Sequence, residues 1–253
     1  MILAILQARY SSSRLPKKVL KPILGKPMLL HQIERLKHSK MIDKLVVATS
    51  MSFSDNIIEK MCRDNNIDVF RGNLDDVLDR FYQCSESYES DYIVRLTGDC
   101  PLIDWKVIDE TIQYFFEGNF DFVETSLKFP DGLDAEIMTK LALKRAWNGA
   151  KLPSEREHVT QFIVNRPEEF RNGIFEPVDD LCHHRWTVDE PEDYEFVKKV
   201  YQALYKKNPL FLMKDILNLL DQNPGLIEMN SNFIRNEGLE KSLIEDKGFL
   251  KNV

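Results

Sequence analysis

Short apolar or β-branched runs alternate with amphipathic stretches along the first 120 residues, and this alternation constrains the fold more than any other feature. Ile2–Leu6 reads as a strand, Pro27–Lys37 (PMLLHQIERLK) as a helix with proline at its start, and Lys44–Thr49 as a second strand. The pattern continues with a helix from Asp55 to Asn65, a strand over Asp68–Arg71 and a helix over Leu74–Tyr88. A strand over Tyr92–Leu96 and a helix from Asp104 to Glu117 complete it. Such a repeat requires right-handed crossovers, which predicts an α/β fold with a mostly parallel sheet flanked by helices on both faces. In open sheets of this kind ligands bind at the carboxyl ends of the strands.

Beyond residue 120 the regularity loosens. Phe120–Thr125 and Ala135–Met138 read as strands separated by the turn Pro130-Asp131-Gly132, and helices are expected near Ser154–Asn165, Glu190–Tyr205 and Met213–Asp221. No internal repeat or low-complexity linker interrupts the chain. The expectation is one domain over residues 1–223 carrying an inserted β/α portion. A polar tail, residues 224–253, would pack on that domain or on a partner subunit.

The net charge of −7 conceals an asymmetry. Residues 1–50 hold ten Lys/Arg against two Asp/Glu, so the rest of the chain carries −15. A basic front end on an acidic protein argues against general nucleic-acid binding, which favours a broadly basic surface, and suits a local pocket for a small anion. No apolar run approaches the ~20 residues of a membrane span. The six-residue apolar start is followed by cations instead of being preceded by them, unlike a signal peptide. A cytoplasmic protein is expected. Cys62, Cys84, Cys100 and Cys182 form no C-x-x-C pair, so neither a zinc site nor a disulfide framework is indicated.

Five stretches carry candidate chemistry. The first strand runs directly into Gln7-Ala-Arg-Tyr-Ser-Ser-Ser-Arg-Leu-Pro-Lys-Lys18. This is neither a Walker loop nor a G-x-G-x-x-G turn, but Arg9 and Arg14 could grip phosphate oxygens, with Lys18 as a point charge and Ser12 and Ser13 as hydroxyl donors. Val94-Arg-Leu-Thr-Gly-Asp-Cys-Pro101 delivers Asp99 to a strand end, where a carboxylate either shapes the turn or holds a magnesium bridging phosphates. In Arg185-Trp-Thr-Val-Asp-Glu-Pro-Glu-Asp193, Asp189 and Glu192 read as a helix cap with a capping box, a position that can also ligate a metal. Asp134 and Glu136 would share one strand face, as substrate contacts or as an ordinary polar face. In Ser154-Glu-Arg-Glu-His158, Ser154 and Glu157 suggest a capping box, which leaves Arg156 and His158 as candidates for an acidic substrate group. His183-His184 reads as packing. No Ser/His/Asp or Cys/His arrangement is identifiable, so covalent catalysis is not expected.

Taken together these stretches resemble a known family. Residues 7–18 are similar to the P-A-R-x-x-S-x-R-x-P-x-K signature of the CMP-sugar synthetases, which activate 3-deoxy-manno-octulosonic and sialic acids with CTP. Gly25-Lys26-Pro27, R-L-T-G-D-C-P-L at 95–102 and V-D-E-P-E-D-Y at 188–194 follow in the family's order. Q-A-R in place of P-A-R points to the spore coat polysaccharide (SpsF) branch of cytidylyltransferases. So do D-V-L-D-R-F at 76–81, F-P-D-G-L-D at 129–134 and R-E-H-V-T at 156–160. One departure stands out: Lys17 occupies the place of the usual glycine of L-P-G-K.

The resemblance implies a Rossmann-like nucleotidyltransferase fold and transfer of CMP from CTP to an acidic, ulosonic-acid-like sugar in surface polysaccharide synthesis, with release of pyrophosphate. It implies that Arg9, Arg14 and Lys18 bind the triphosphate, and that Asp99 and Asp189 share a catalytic Mg²⁺. Ala8, Ser12, Ser13, Thr49, Ser50, Arg71, Arg80 and Thr97 would complete the nucleotide site. Asp131, Asp134, Glu136, Arg156 and His158 would line the acceptor pocket, and a homodimer is the expected assembly. Two further readings are a cytidylyltransferase whose phosphorylated or phosphonate acceptor gives a CDP-type product, and a metal-dependent glycosyltransferase, for which a well-placed D-x-D is missing. A catalytically inactive nucleotide-binding scaffold is disfavoured by the intact Arg9, Arg14, Lys18, Asp99 and Asp189.

Overall fold

The computed structural model describes residues 1–12, 14–233, 235 and 237–251. Nine strands are present among them: β1 (Ile2–Gln7), β2 (Pro22–Ile23), β3 (Lys26–Pro27), β4 (Lys44–Ser50), β5 (Asp68–Gly72), β6 (Tyr92–Thr97), β7 (Phe122–Thr125), β8 (Glu136–Thr139) and β9 (Asn172–Phe175). Seven of them form one sheet in the order β5-β4-β1-β6-β8-β7-β9. Only β8 runs against its neighbours; the β5-β4-β1-β6 run and the β7–β9 pair are parallel. β1 lies in the middle of the parallel run, covered on both faces, which is why its sequence is continuously apolar and does not alternate.

Helices α1 (Met28–Leu36), α2 (Asn56–Asp64) and α4 (Trp105–Gly118) cover one face, packing Leu29, Ile33, Ile58, Cys62, Ile108 and Ile112 on Ala4, Leu6, Val47 and Val94. On the other face lie α3 (Val77–Glu86), α5 (Lys140–Gly149), α6 (Pro153–Glu157) and α7 (Gln161–Val164). There Leu78, Phe81, Leu143 and Phe162 meet Leu3, Ile5, Val46 and Ile93. A third cluster joins Trp186, Phe129 and Leu133 to α8 (Pro191–Leu204) and α9 (Met213–Gln222), and reaches Ile23 and Met28 at the β2–β3 hairpin. The chain ends in α10 (Glu237–Phe249).

The elements expected up to residue 118 are present, with ends displaced by a few residues. The segment expected as one helix over 154–165 is two, because Val159 sits at φ 62° and breaks the run between α6 and α7. β9 escaped the sequence reading: four residues, Asn-Gly-Ile-Phe, give no usable periodicity. The hairpin before α1 was also missed. Leu24 and Gly25 both adopt positive φ, as a two-residue hairpin turn requires.

Candidate active site

The carboxyl ends of β1, β4 and β6 lie side by side, Gln7 paired with Ala48 and with Thr97. Gly98 donates its N–H to Gln7 O at 2.8 Å, and a Cβ there would lie 2.9 Å from that oxygen. The glycine therefore lets the Asp99 turn press against the first loop. From that turn Asp99 reaches Lys18 Nζ at 2.9 Å, and Asp189, from the junction before α8, reaches the same nitrogen at 2.7 Å. Arg14 lies beside them, 3.0 Å from Asp189, 3.3 Å from Glu190 and 2.8 Å from Glu237. Three stretches far apart in sequence thus meet at one point.

The electrostatics follow from this convergence. Burial would raise the Asp99 carboxyl, but the Lys18 ammonium and a hydrogen bond from Thr97 hold it well below the usual carboxylate range. Burial likewise opposes the charge on Lys18, yet its two carboxylates keep it above the ordinary lysine value. Burial pushes up the neighbouring Cys100 thiol, leaving an inert, structural cysteine. All four cysteines are free.

Asp99 and Asp189 bring carboxylate oxygens from two loops together at Lys18 Nζ, and two such donors would suit a magnesium ion. Such an ion takes one or two carboxylates and completes its shell with phosphates and water. No group of three or more His, Cys, Asp or Glu is placed to cage a metal among the described residues.

The Asp189 junction is built by a residue that the sequence reading passed over. Asp193, fully buried, accepts the N–H groups of Asp189 and Glu190 at 3.0 and 2.9 Å and takes a two-pronged bond from Arg185. Glu190 is the N-cap and Asp193 reaches back to it, so the cap expected at Asp189 with Glu192 is displaced by one residue. Arg185 also grips Asp131 at 2.9 Å, tying the 129–134 loop to this junction. In sequence Asp193 is an aspartate at the third position of a helix, a pattern shared with ordinary surface acids.

Several expected nucleotide contacts serve as supports. Thr49 and Ser50 are fully buried, and the Ser50 hydroxyl donates to Asp55, which also accepts the Tyr10 N–H at 2.7 Å. Ser50 thus braces the loop through Asp55, a second residue missed, while the buried Thr49 hydroxyl makes no hydrogen bond among the described residues. Ser12 accepts from Leu15 N and shapes the same loop; Ser13 lies outside the described residues. Arg71 is committed to Glu59, Asn56 and the carbonyls of Ser50 and Ser52, at the outer edge of the sheet. Arg80 is buried and has no carboxylate partner among the described residues; burial first, then the charge of Arg9, lowers it to about 10. Arg9 is exposed and makes no ion pair among the described residues, so it stands ready for an anion. Ala8 is buried, with its N–H on Ala48 O.

The expected acceptor residues divide. Asp134 accepts from Gly132 N and from Arg235, while Glu136 is held by Arg95 at 2.7 Å and Thr160 at 3.0 Å. His158 meets Ser242 at 3.0 Å, and burial lowers its pKa. Arg156 departs from expectation. Its guanidinium is spent on Asp76 and the Trp147 carbonyl, joining α6 to the start of α3, so it is not a free cation for substrate. Nor do Ser154 and Glu157 form the expected cap: α6 starts at Pro153, and Glu155 accepts the N–H groups of Lys151 and Leu152. A further carboxylate, Glu124 on β7, lies opposite Glu136 in the ladder and makes no hydrogen bond among the described residues.

No helix among the described residues is long and apolar enough to cross a membrane. Residues 3–226 match the cytidylyltransferase family. The chain is 35% identical to the spore coat polysaccharide biosynthesis protein SpsF of Bacillus subtilis, over 88% of this chain and 95% of that protein. It is 40% identical to an uncharacterized protein, MJ1063, of Methanocaldococcus jannaschii, over 91% and 95%. A cytidylyltransferase structure from Leptospira borgpetersenii superposes with a TM-score of 0.86 at 32% identity, covering 92% of this chain and 99% of that one. By sequence and by fold, the chain belongs to the cytidylyltransferase family.

Proposed function

We propose that this cytidylyltransferase transfers CMP from Mg²⁺-bound CTP to a hydroxyl of an acidic sugar of the ulosonic-acid type, releasing pyrophosphate. The observation that carries the reading is the meeting of Asp99 and Asp189 on Lys18 Nζ, at 2.9 and 2.7 Å, beside a loop rich in cations. The family supplies the nucleotide. The polysaccharide role named for the SpsF relative supports a sugar acceptor.

The chemistry follows from the charges. The acceptor oxygen bonds to the α-phosphorus in line, the bond to the β-phosphate oxygen breaks, and the acceptor proton leaves to water. Asp99 and Asp189 would hold a magnesium whose chemistry is Lewis-acid neutralisation of phosphate charge. Arg14 and Lys18 turn from their carboxylates to the phosphates and balance the charge that builds on departing pyrophosphate, while Arg9 and Arg80 add positive potential nearby. Rate enhancement is then positioning plus electrostatics.

The test is pyrophosphate release with CTP, UTP, ATP or GTP, each against 3-deoxy-manno-octulosonate, N-acetylneuraminate and a phosphorylated polyol. Release confined to CTP with a ulosonic acid is the expected result. Turnover with the phosphorylated polyol alone would move the assignment to CDP-type products, and turnover with none of the nucleotides would overturn it.

A further inference from the structure

Arg235 and α10 touch three separate stretches of the chain. Arg235 crosses the acceptor loop, donating to the carbonyls of Leu127 and Phe129 at 2.8 and 3.0 Å and to the Asp134 carboxylate. Glu237 accepts from Arg14 at 2.8 Å. Further along α10, Ser242 donates to Glu157, and Asp246 accepts both the N–H and the hydroxyl of Ser154. This segment lies beyond the residues matched by the family, 3–226, so the family likeness does not account for it.

Polar chemistry holds the near end in place. Only Ser242 and Asp246 of α10 are buried, whereas Leu243, Ile244 and Phe249 remain exposed. A helix docked without an apolar seam gains little from hydrophobic burial, and exposed ion pairs are individually weak. The far end is pinned more firmly, because the Asp246–Ser154 bonds are buried. A ligand that competes for a contact at the near end therefore shifts the segment's position.

Arg14 is that contact. Three carboxylates share its guanidinium, and a triphosphate would claim the same donors in pairs. Asp189 and Glu190 belong to the body of the fold; Glu237 alone can leave without disturbing it. We propose that the C-terminal segment is a gate over the acceptor loop, released when the triphosphate takes Arg14 from Glu237. Arg235 leaves with it and uncovers Asp131 and Asp134. CTP therefore binds before the acceptor. The inference rests on the nucleotide role of Arg14 and deepens it.

Trypsin reports the gate directly, because Arg235 is a cleavage point whose side chain is largely covered when the segment is docked, 17% exposed. The full-length protein is digested briefly with and without CTP and Mg²⁺, the cut sites are read by mass, and CTP affinity is measured by calorimetry. CTP should speed cleavage after Arg235 several-fold. Glu237→Gln should be cut there rapidly without nucleotide and should bind CTP several-fold more tightly than the unaltered protein. CTP binding that leaves this cleavage unchanged or slower overturns the gate alone, as does Glu237→Gln with unaltered affinity. Absence of CTP binding overturns the nucleotide reading of Arg14 together with the gate.

Discussion

Lys18 Nζ lies 2.7 Å from Asp189 Oδ1, although 171 residues separate the two in the chain. The same nitrogen holds Asp99, so one ammonium stands where two loops present carboxylates to each other. Without a cation between them these carboxylates repel. Lys18→Met keeps the stem and removes the charge, and it should lower stability by about 1–3 kcal/mol, less than a fully buried pair because all three groups retain some exposure. Mg²⁺ should restore that loss. Melting curves across a magnesium titration check it: the variant should show a larger Mg²⁺-dependent rise than the unaltered protein. Equal responses would remove the metal assignment.

Asp99→Asn leaves the shape of the turn and removes one of the two carboxylates proposed to hold magnesium. Turnover, measured as pyrophosphate release, should fall at least ~100-fold, comparable to the loss of one preorganised transition-state contact. The carboxyl of Asp99 is held below its unfolded value, so its ionised form contributes to folding at neutral pH. That contribution is complete above about pH 4 and is lost as the pH falls toward its depressed folded value. Acid unfolding of Asp99→Asn should therefore be shallower below about pH 4 than that of the unaltered protein.

The sequence was legible where periodicity is strong and illegible where chemistry is shared between distant segments. The strands of the large sheet up to Thr97 and the cationic loop could be read because each is a local pattern. Asp193 could not, since a buried carboxylate that braces a junction looks the same in sequence as a helix-surface acid. Arg156 misled for the complementary reason: its partner, Asp76, lies 80 residues away. Glu237 and Arg235 sit in a polar tail whose lack of amphipathic pattern says nothing about where it docks.

Asp193 should prove more important to folding than its position on a helix suggests. It accepts from Arg185, Asn230 and two backbone N–H groups while fully buried. Asp193→Asn leaves Arg185 with Asp131 as its close counter-charge but turns one accepting oxygen into an amide N–H facing other donors, and should cost about 1–3 kcal/mol in urea unfolding. Activity should fall with it, because the Asp189 backbone loses its anchor.

Lys17, which stands in the usual glycine position of the loop, adopts φ 61° and ψ 22°. A left-handed conformation costs a residue bearing a Cβ about 1–2 kcal/mol, part of which glycine returns through its greater freedom in the unfolded chain. Lys17→Gly should therefore stabilise the protein by up to about 1 kcal/mol. Thermal unfolding measures this. A destabilised variant would show that the packing of Lys17 over the Tyr10 ring outweighs the backbone strain.

Glu124 sets stability against function. Its carboxyl is pushed up to about 7, by burial first and then by the charges of Glu136 and Asp134, with Arg95 opposing. A carboxyl raised above its unfolded value binds its proton more tightly in the folded state. Its penalty is absent below about pH 4 and grows as the pH rises to about 7. Glu124→Gln should thus stabilise the protein by up to about 3 kcal/mol at pH 8 and lose that advantage toward pH 4, as urea unfolding at the two values would show. A carboxylate that faces Glu136 across the ladder, with no partner among the described residues, is otherwise a liability on a strand. If it serves to contact the acceptor's hydroxyls, the more stable variant should show a raised KM for the acceptor with the KM for CTP unchanged. A variant that is both more stable and fully active would assign Glu124 no part in acceptor binding.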